Sequence, residues 1–341
     1  MALGHEDFGA PVIDLGPPPG ERPRLVMLRA LGLGDFLTGV PAMRALADAF
    51  PAHRRILAAP AALAPLAKLS GAVHVLAPTG PLDPLAESLH ACDIAVNLHG
   101  RGPQSHRILL DARPDSLIAW AHPAIPATAA MPRWAHDEHE VLRWCRLLQE
   151  AGIPADPARL DLSLPDYILP EELCGATLIH PGAASPARRW PPACWAAVAR
   201  AELAGGRRVI VTGGSSEVDL AQSVARAGGV PPEDLYAGHT DLFDLARLVA
   251  AAGRVVCGDT GVAHLATALR TPSVVLFGPA SPSHWGPPAD RPWHRALRGS
   301  KSGRNLATRA ERLTMIAVDE VLGALVDLPE PIGVRTNPAV H

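Results

Sequence analysis

The chain has few cysteines, no long apolar run and little net charge, and each shortage excludes a class of protein. Its five cysteines form no Cys-x-x-Cys pair, which argues against a disulfide framework or a zinc site and indicates reduced thiols. No apolar stretch is long enough to span a bilayer, and the acidic N-terminus lacks the features of a signal peptide. A formal net charge of −3 over 341 residues does not suggest a nucleic-acid binder. We therefore expect a soluble cytoplasmic protein, with any contact to the inner membrane surface peripheral.

Strand and helix patterns alternate twice along the chain, which is long enough for two domains. The strand patterns lie at 25–28, 55–58, 73–76, 93–98 and 116–119, and again at 177–180, 209–212, 255–257 and 273–276. The helix patterns lie at 36–50, 60–70, 82–90, 105–111 and 135–151, and again at 192–204, 217–227, 241–252, 262–269 and 318–326. This alternation predicts an α/β protein whose parallel sheets are covered on both faces.

The proline spacing suggests where the domains meet. Prolines recur through residues 154–172, so we interpret this stretch as an interdomain linker. The predicted organisation is an N-terminal extension at 1–22, a first Rossmann-like domain at 23–153, and a second at 173–315. A C-terminal helix and tail occupy 316–341.

The most informative segment is Gly258-Asp-Thr-Gly, which follows an apolar strand pattern and precedes a helix pattern. A helix that begins at the carboxyl end of a strand offers unpaired backbone N–H groups and a partial positive charge, which suit a diphosphate. The alternative is that Asp259 or Thr260 merely caps the helix.

A second loop of this kind, Gly32-Leu-Gly-Asp, follows the first strand pattern. A dinucleotide-binding turn requires a third glycine, but Phe36-Leu occupies that region, so the sequence argues against a nicotinamide oxidoreductase. An acidic residue at this turn would repel a phosphate. Asp35 is therefore better suited to act as a base than to bind phosphate, although a helix cap is again the alternative.

Taken in order, these loops and several other motifs resemble glycosyltransferase family 9, the lipopolysaccharide heptosyltransferases, from about Arg24 to about Leu325. The motifs are Gly32-Leu-Gly-Asp-Phe-Leu-Thr with Pro41-Ala-Met-Arg, His180-Pro-Gly-Ala, Arg188-Arg-Trp-Pro, Thr212-Gly-Gly-Ser-Ser-Glu, Gly258-Asp-Thr-Gly-Val-Ala-His and Phe277-Gly-Pro. The resemblance implies a GT-B fold, with two Rossmann-like domains facing a central cleft. It also implies that the last helix crosses back onto the first domain.

The resemblance also implies roles for individual residues. Asp35 matches the family's general base. The donor-binding block corresponds to Asp259, Thr260, Gly261 and His264. In that block Thr260 and the amides would hold the diphosphate, while Asp259 and His264 would meet sugar hydroxyls.

Arg188 matches a family lysine that contacts the donor phosphates, and Arg189 competes for that role. An arginine in this place is unsurprising, because the chain contains only two lysines. Glu217 matches a ribose-binding glutamate, although a glutamate in the first turn of a helix is nearly as good an explanation. Gly34, His180 and Ser185 are further candidates to line the cleft.

The implied reaction is the inverting transfer of a sugar, with heptose from ADP-heptose the usual case, to a hydroxyl of a saccharide or glycolipid such as the lipopolysaccharide inner core. No cofactor or metal is expected. The run His136-Asp-Glu-His-Glu lacks the spacing of a His-Glu-x-x-His zinc motif.

One segment departs from the family pattern. The basic stretch Trp293-His-Arg-Ala-Leu-Arg-Gly-Ser-Lys-Ser-Gly-Arg-Asn replaces a cysteine-bearing segment, and we interpret it as a solvated loop that could touch an anionic acceptor or membrane. Two alternative functions remain open. One is a GT-B-fold sugar-nucleotide epimerase, and the other is a non-catalytic sugar-nucleotide-binding protein.

Overall fold

The computed structural model describes residues 13–15, 23–164, 171–299 and 311–329. The chain divides into two compact units, Met1–Leu160 and Asp161–His341. The boundary between the units falls within the proline-spaced stretch 154–172.

The first unit alternates strands and helices over much of its length, but no α-helix lies among the described residues between its fourth and fifth strands. Its elements are β1 (Ile13–Asp14), β2 (Arg24–Leu28), α1 (Leu33–Ala49), β3 (Arg54–Ala59), α2 (Ala64–Ser70), β4 (Val75–Pro78), β5 (Ile94–Asn97), α3 (Gln104–Asp111), β6 (Ser116–Ile118) and α4 (Glu140–Glu150). The sheet order is β1-β4-β3-β2-β5-β6, and only β1 runs antiparallel to its neighbour. In β2 the residues Leu25–Leu28 are all buried, as expected for a central strand of a sheet covered on both faces.

The second unit repeats the alternation. Its elements are β7 (Thr177–His180), α5 (Pro192–Ala204), β8 (Val209–Val211), α6 (Val218–Gly228), α7 (Leu242–Ala251), β9 (Arg254–Gly258), α8 (Gly261–Ala268), β10 (Ser273–Phe277), α9 (Pro282–Trp285), β11 (His294–Arg298), α10 (Glu311–Thr314) and α11 (Val318–Val326). The sheet order is β11-β10-β9-β7-β8, and all of these pairs are parallel. Strands β9 and β10 are buried along their whole length. The predicted α/β class with parallel sheets is confirmed.

Two predicted helices differ from the structure. Residues 82–90 form no α-helix, only a short 3₁₀ turn at Glu87–Leu89, because Pro84 removes a donor and its ring clashes with the preceding turn of a helix. The helix predicted from 135 begins at Glu140, because the His139 side chain accepts a hydrogen bond from the Val141 amide and so caps α4 at that point.

One prediction near the C-terminus also needs correction. The basic stretch predicted as a solvated loop contains β11, a short edge strand in which His294 is buried, Arg295 is half-buried and Arg298 is exposed, and the rest of the stretch from residue 300 lies outside the described residues. Within the second unit, α11 packs against α5 and β10, and its Val321 and Leu325 are buried in the apolar core.

In the part of the chain that the structure describes, no helix combines the length and the apolar character needed to cross a bilayer.

Candidate active site

The order of strands reverses at one point in each sheet. In the first sheet β2 lies between β3 and β5, so the strand order reverses at the β2/β5 pair. In the second sheet β7 lies between β8 and β9, so the reversal falls at the β7/β9 pair. Ligands of open α/β sheets bind beyond the carboxyl ends of such strand pairs. The loops singled out from the sequence follow β2 in the first unit, and β7 and β9 in the second.

Asp35 lies in the first turn of α1, just beyond the carboxyl end of β2, and is half-buried. Gly32 takes the N-cap position, and within the described residues no side chain caps this helix. Burial raises the pKa of the Asp35 carboxyl above its ordinary value, and the nearby Arg29 guanidinium opposes that rise. A carboxylate that is partly desolvated and leaves the helix uncapped is suited to accept a proton.

The end of β5, next to β2, carries polar residues that the sequence analysis missed. The Asn97 side chain donates to Ser105 Oγ over 2.9 Å, and its oxygen accepts from the His99 amide over 2.9 Å. His99 Nδ1 in turn accepts from the Ala30 amide at 3.2 Å. Burial, with a contribution from Arg29, lowers the pKa of His99 to about 4, so the ring is neutral near pH 7 and carries its proton on Nε2. The signal in the sequence that could have identified these residues is the run Asn97-Leu-His, which places two polar side chains at the end of a buried strand.

In the second unit, Arg188 and Asp259 come together at the switch point. Asp259 follows β9, is almost fully buried, and its amide donates to the Leu276 carbonyl of β10 at 3.0 Å. Nη1 of Arg188 lies 3.7 Å from Asp259 Oδ2 and 3.5 Å from the Asp259 carbonyl oxygen. Burial raises the pKa of Asp259, and Arg188 opposes the rise. About a third of the Arg188 side chain is exposed, so its guanidinium can also meet a ligand.

Thr260 and Gly261 form the start of α8. Thr260 is the N-cap residue, but its side chain caps nothing. Its Oγ1 is buried without a nitrogen or oxygen hydrogen-bond partner among the described residues, and the group beside it is the Cys257 thiol, which is a weak partner for a buried hydroxyl. The same helix carries His264, whose ring packs edge-on against Trp285 with centroids 5.9 Å apart. The interpretation of Thr260 as a mere side-chain cap is therefore wrong.

A second cluster forms beyond β7, the strand next to β9. His180 is buried, and its Nδ1 lies 3.0 Å from Thr212 Oγ1. Its Nε2 lies 3.8 Å from Glu217, whose carboxylate accepts from the Gly214 amide at 2.9 Å. Burial lowers the pKa of His180, and Glu217 opposes that shift. A side chain at Gly182 would overlap the Glu217 carboxylate, so this glycine leaves room for it.

The remaining candidates have local structural partners. The Nε of Arg189 donates to the Ala183 carbonyl at 3.0 Å, whereas Arg188 faces Asp259. The Ser185 carbonyl accepts from the Arg188 amide at 2.9 Å, and Gly34 is the second residue of α1.

The acidic and histidine-rich run before α4 is used for packing and ion pairs. Glu138 pairs with Arg146, and Glu140 pairs with Arg143. No group of three or more His, Cys, Asp or Glu side chains within the described ranges is arranged to hold a metal ion.

Comparison with known proteins assigns the family and the fold. Residues 124–311, just over half of the chain, match the model of Glycosyltransferase family 9 (heptosyltransferase). Lipopolysaccharide heptosyltransferase 2 of Salmonella typhimurium is 29% identical over 198 residues, which cover 55% of this chain and 54% of that protein. The chain thus matches about half the length of this curated relative.

Solved structures share the fold, and two of them illustrate the match. E. coli ADP-heptose lps heptosyltransferase II superposes with a TM-score of 0.73 at 21% identity, covering 89% of this chain and 97% of that one. E. coli heptosyltransferase WaaC with ADP gives a TM-score of 0.69 at 17% identity, covering 89% and 99%. The fold is the GT-B fold that the motifs predict. With a family match over more than half of its residues, the chain belongs to glycosyltransferase family 9.

Proposed function

We propose that the protein transfers a heptose from ADP-heptose to a hydroxyl of a lipopolysaccharide inner-core saccharide, with inversion at the anomeric carbon. The second unit binds the donor and the first unit supplies the base, Asp35. The single observation that carries the proposal is the Arg188, Asp259 and Thr260 arrangement at the β7/β9 switch point of a family 9 chain.

The donor side is supported by complementary groups for a diphosphate. The start of α8 offers backbone N–H groups, Thr260 offers an unpartnered hydroxyl, and Arg188 offers a guanidinium. Negative charge grows on the leaving diphosphate in the transition state, and these groups stabilise it there. Asp259 accepts hydrogen bonds from sugar hydroxyls, and His264 also forms hydrogen bonds with them. Glu217 binds the nucleoside ribose.

In the chemical step, the acceptor oxygen attacks the anomeric carbon as its proton passes to the Asp35 carboxylate. The bond between that carbon and the diphosphate oxygen breaks, and ADP leaves with the electron pair. One displacement inverts the anomeric centre. The partly desolvated Asp35 is a stronger base than a solvated aspartate, which suits this role.

The choice of ADP-heptose and of a lipopolysaccharide acceptor is supported by the relatives, among them a lipopolysaccharide heptosyltransferase and an enzyme solved with ADP. Thermal-shift measurements with ADP-, GDP-, UDP- and dTDP-sugars test the donor. We expect selective stabilisation by ADP-heptose. A response confined to another nucleotide would reject this donor, and release of free nucleotide from the donor without any acceptor would indicate an epimerase.

The base is tested by Asp35→Asn, with Asp48→Asn as the matched control. Asp48 lies near the other end of α1, is exposed, and pairs with the exposed Arg159. We expect Asp35→Asn to lower heptose transfer by about 10²- to 10⁴-fold while ADP-heptose still raises the melting temperature. Asp48→Asn should transfer at the wild-type rate. Near-normal turnover by Asp35→Asn would contradict the assignment.

A further inference from the structure

A fully buried arginine lies beside the proposed base. Arg29 follows β2 directly and has no exposed surface. Its Nε donates to the Asp35 carbonyl and its Nη2 donates to Thr38 Oγ1 at 2.9 Å, so it binds the first turn of α1. Its Nη1 donates to the Leu98 carbonyl, next to His99. One guanidinium thus connects the ends of β2 and β5 to the turn that carries Asp35.

The charge of Arg29 is only partly balanced by the helix packed over it. Glu140 of α4 lies 3.6 Å from Nη2 of Arg29, but the same carboxylate is bound more closely by Arg143 and accepts from Trp144 Nε1 at 2.8 Å. The Trp144 ring covers the Arg29 guanidinium at 4.7 Å. A buried cation that shares its counter-ion retains a positive field, which favours a second carboxylate nearby.

Asp35 is the carboxylate that receives this field. Its charged form is opposed by burial and by Glu140, and it is favoured by Arg29. His99, from β5, also lies near Arg29 and is neutral near pH 7. Arg29 is therefore the cation that offsets the desolvation of Asp35.

We propose that Arg29 is the positioning residue of the first unit, where it fixes the turn that carries Asp35 and favours the charged carboxylate that accepts the proton. This inference rests on the proposed role of Asp35 as the base. Helix α1 is built closely around the arginine, because a side chain at Gly39 would come within 2.8 Å of Arg29 Cδ and Nε.

The test is the pH dependence of kcat/KM, measured with ADP-heptose and a heptose-deficient lipopolysaccharide acceptor. We expect Arg29→Met to move the acid limb to higher pH by about one unit or more, because a tenfold change in the ionised fraction corresponds to one unit. Turnover should recover in part as the pH rises. Arg29→Lys keeps the charge but cannot make all three bonds, so its acid limb should move less than that of Arg29→Met while kcat falls.

Arg55→Met is the matched control. Arg55 is also buried and also bonds to backbone, through Nε to the Ala72 carbonyl at 2.8 Å, but it lies at the start of β3, away from the carboxyl ends of the strands. Its loss should lower stability and leave the acid limb unchanged.

Glu140→Gln provides a second test of the same inference if Arg29→Met does not fold. Removal of this carboxylate should move the acid limb to lower pH, opposite to the shift for Arg29→Met. A folded Arg29→Met with the wild-type limb, or a Glu140→Gln limb that moves upward, overturns the inference. Asp35→Asn is measured in parallel. If Asp35→Asn keeps its turnover, the proposed base itself is wrong. If it loses turnover and the limbs do not move, only the role of Arg29 fails.

Discussion

Arg188, which lies after β7, and Asp259, which follows β9, are ion-pair partners, with Nη1 of the arginine 3.7 Å from Oδ2 of the aspartate. The aspartate is buried, whereas the arginine is partly exposed. The pair therefore fixes Asp259 on one side of the guanidinium and leaves the other side for a ligand.

Arg188→Ala should raise the KM for the donor by about 10- to 100-fold, because a hydrogen bond to a charged group contributes about 1.5–3 kcal/mol. Arg189→Ala is the control, since the Nε of this neighbour donates to the Ala183 carbonyl. Steady-state kinetics with varied donor check both variants. A larger effect from Arg189→Ala would assign the phosphate contact to that residue instead.

Thr260→Val should weaken donor binding about tenfold and leave the free protein as stable as the wild type. The buried Oγ1 makes no hydrogen bond to a nitrogen or oxygen atom of the described residues, so an isosteric methyl leaves only the weakly bonding Cys257 thiol beside it. Titration calorimetry with ADP and thermal unfolding without ligand measure the two effects. Unchanged ADP affinity would mean that the hydroxyl does not meet the diphosphate.

Gly182→Ala should displace Glu217, because the added Cβ would overlap its carboxylate. The bond from the Gly214 amide to Glu217 would be lost, and we expect a stability loss of about 1–3 kcal/mol together with weaker ADP binding. Gly323→Ala on α11 is the control, since nothing lies within 4 Å of the added atom. If Gly182→Ala bound ADP with wild-type affinity, Glu217 would not be part of the donor site.

Asp35→Asn should stabilise the protein increasingly as the pH rises. The raised pKa of Asp35 means that the folded state binds its proton more tightly than the unfolded state. The wild type therefore loses stability as the pH rises through the folded-state pKa, and the neutral amide does not. Melting temperatures of both proteins between pH 4 and 8 check this. If the melting temperature of Asp35→Asn instead fell relative to that of the wild type as the pH rose, the charged carboxylate would be more favourable in the folded state than in the unfolded state.

His294→Gln should flatten the acid side of the stability profile. Burial, with smaller contributions from Arg291 and Arg295, lowers the pKa of His294 to about 3, against an ordinary value of 6.5. Its stabilising effect is complete above about pH 6.5 and is lost as the pH falls toward 3, at up to about 1.4 kcal/mol per pH unit. Urea unfolding between pH 7.5 and 5 measures the slope, and the exposed His239→Gln is the control. Equal slopes in both variants would contradict the shift.

Much of the fold follows from local patterns. The buried parallel strands are continuous apolar runs, and Thr177–His180, Pro192–Ala204 and Val318–Val326 have the predicted bounds. The prediction failed at residues 82–90, where Pro84 interrupts a helical apolar pattern, and at β11, whose arginines resemble those of a solvated loop. The edge strand β11 is stabilised by its pairing with β10, and a local sequence pattern gives no information about that pairing.

By itself, the sequence determined the fold class and the two loops that begin at the carboxyl ends of strands, because apolar periodicity and glycine turns act over a few residues. Only the tertiary structure decided that Arg29 is buried beside Asp35 under Glu140, that Arg188 turns toward Asp259, and that Gly182 makes room for Glu217. Each of these relationships depends on residues that are distant along the chain, as Glu140 is from Arg29. The charge, desolvation and space at each group depend on which elements pack over it, and the order of strands in the sheet sets that packing.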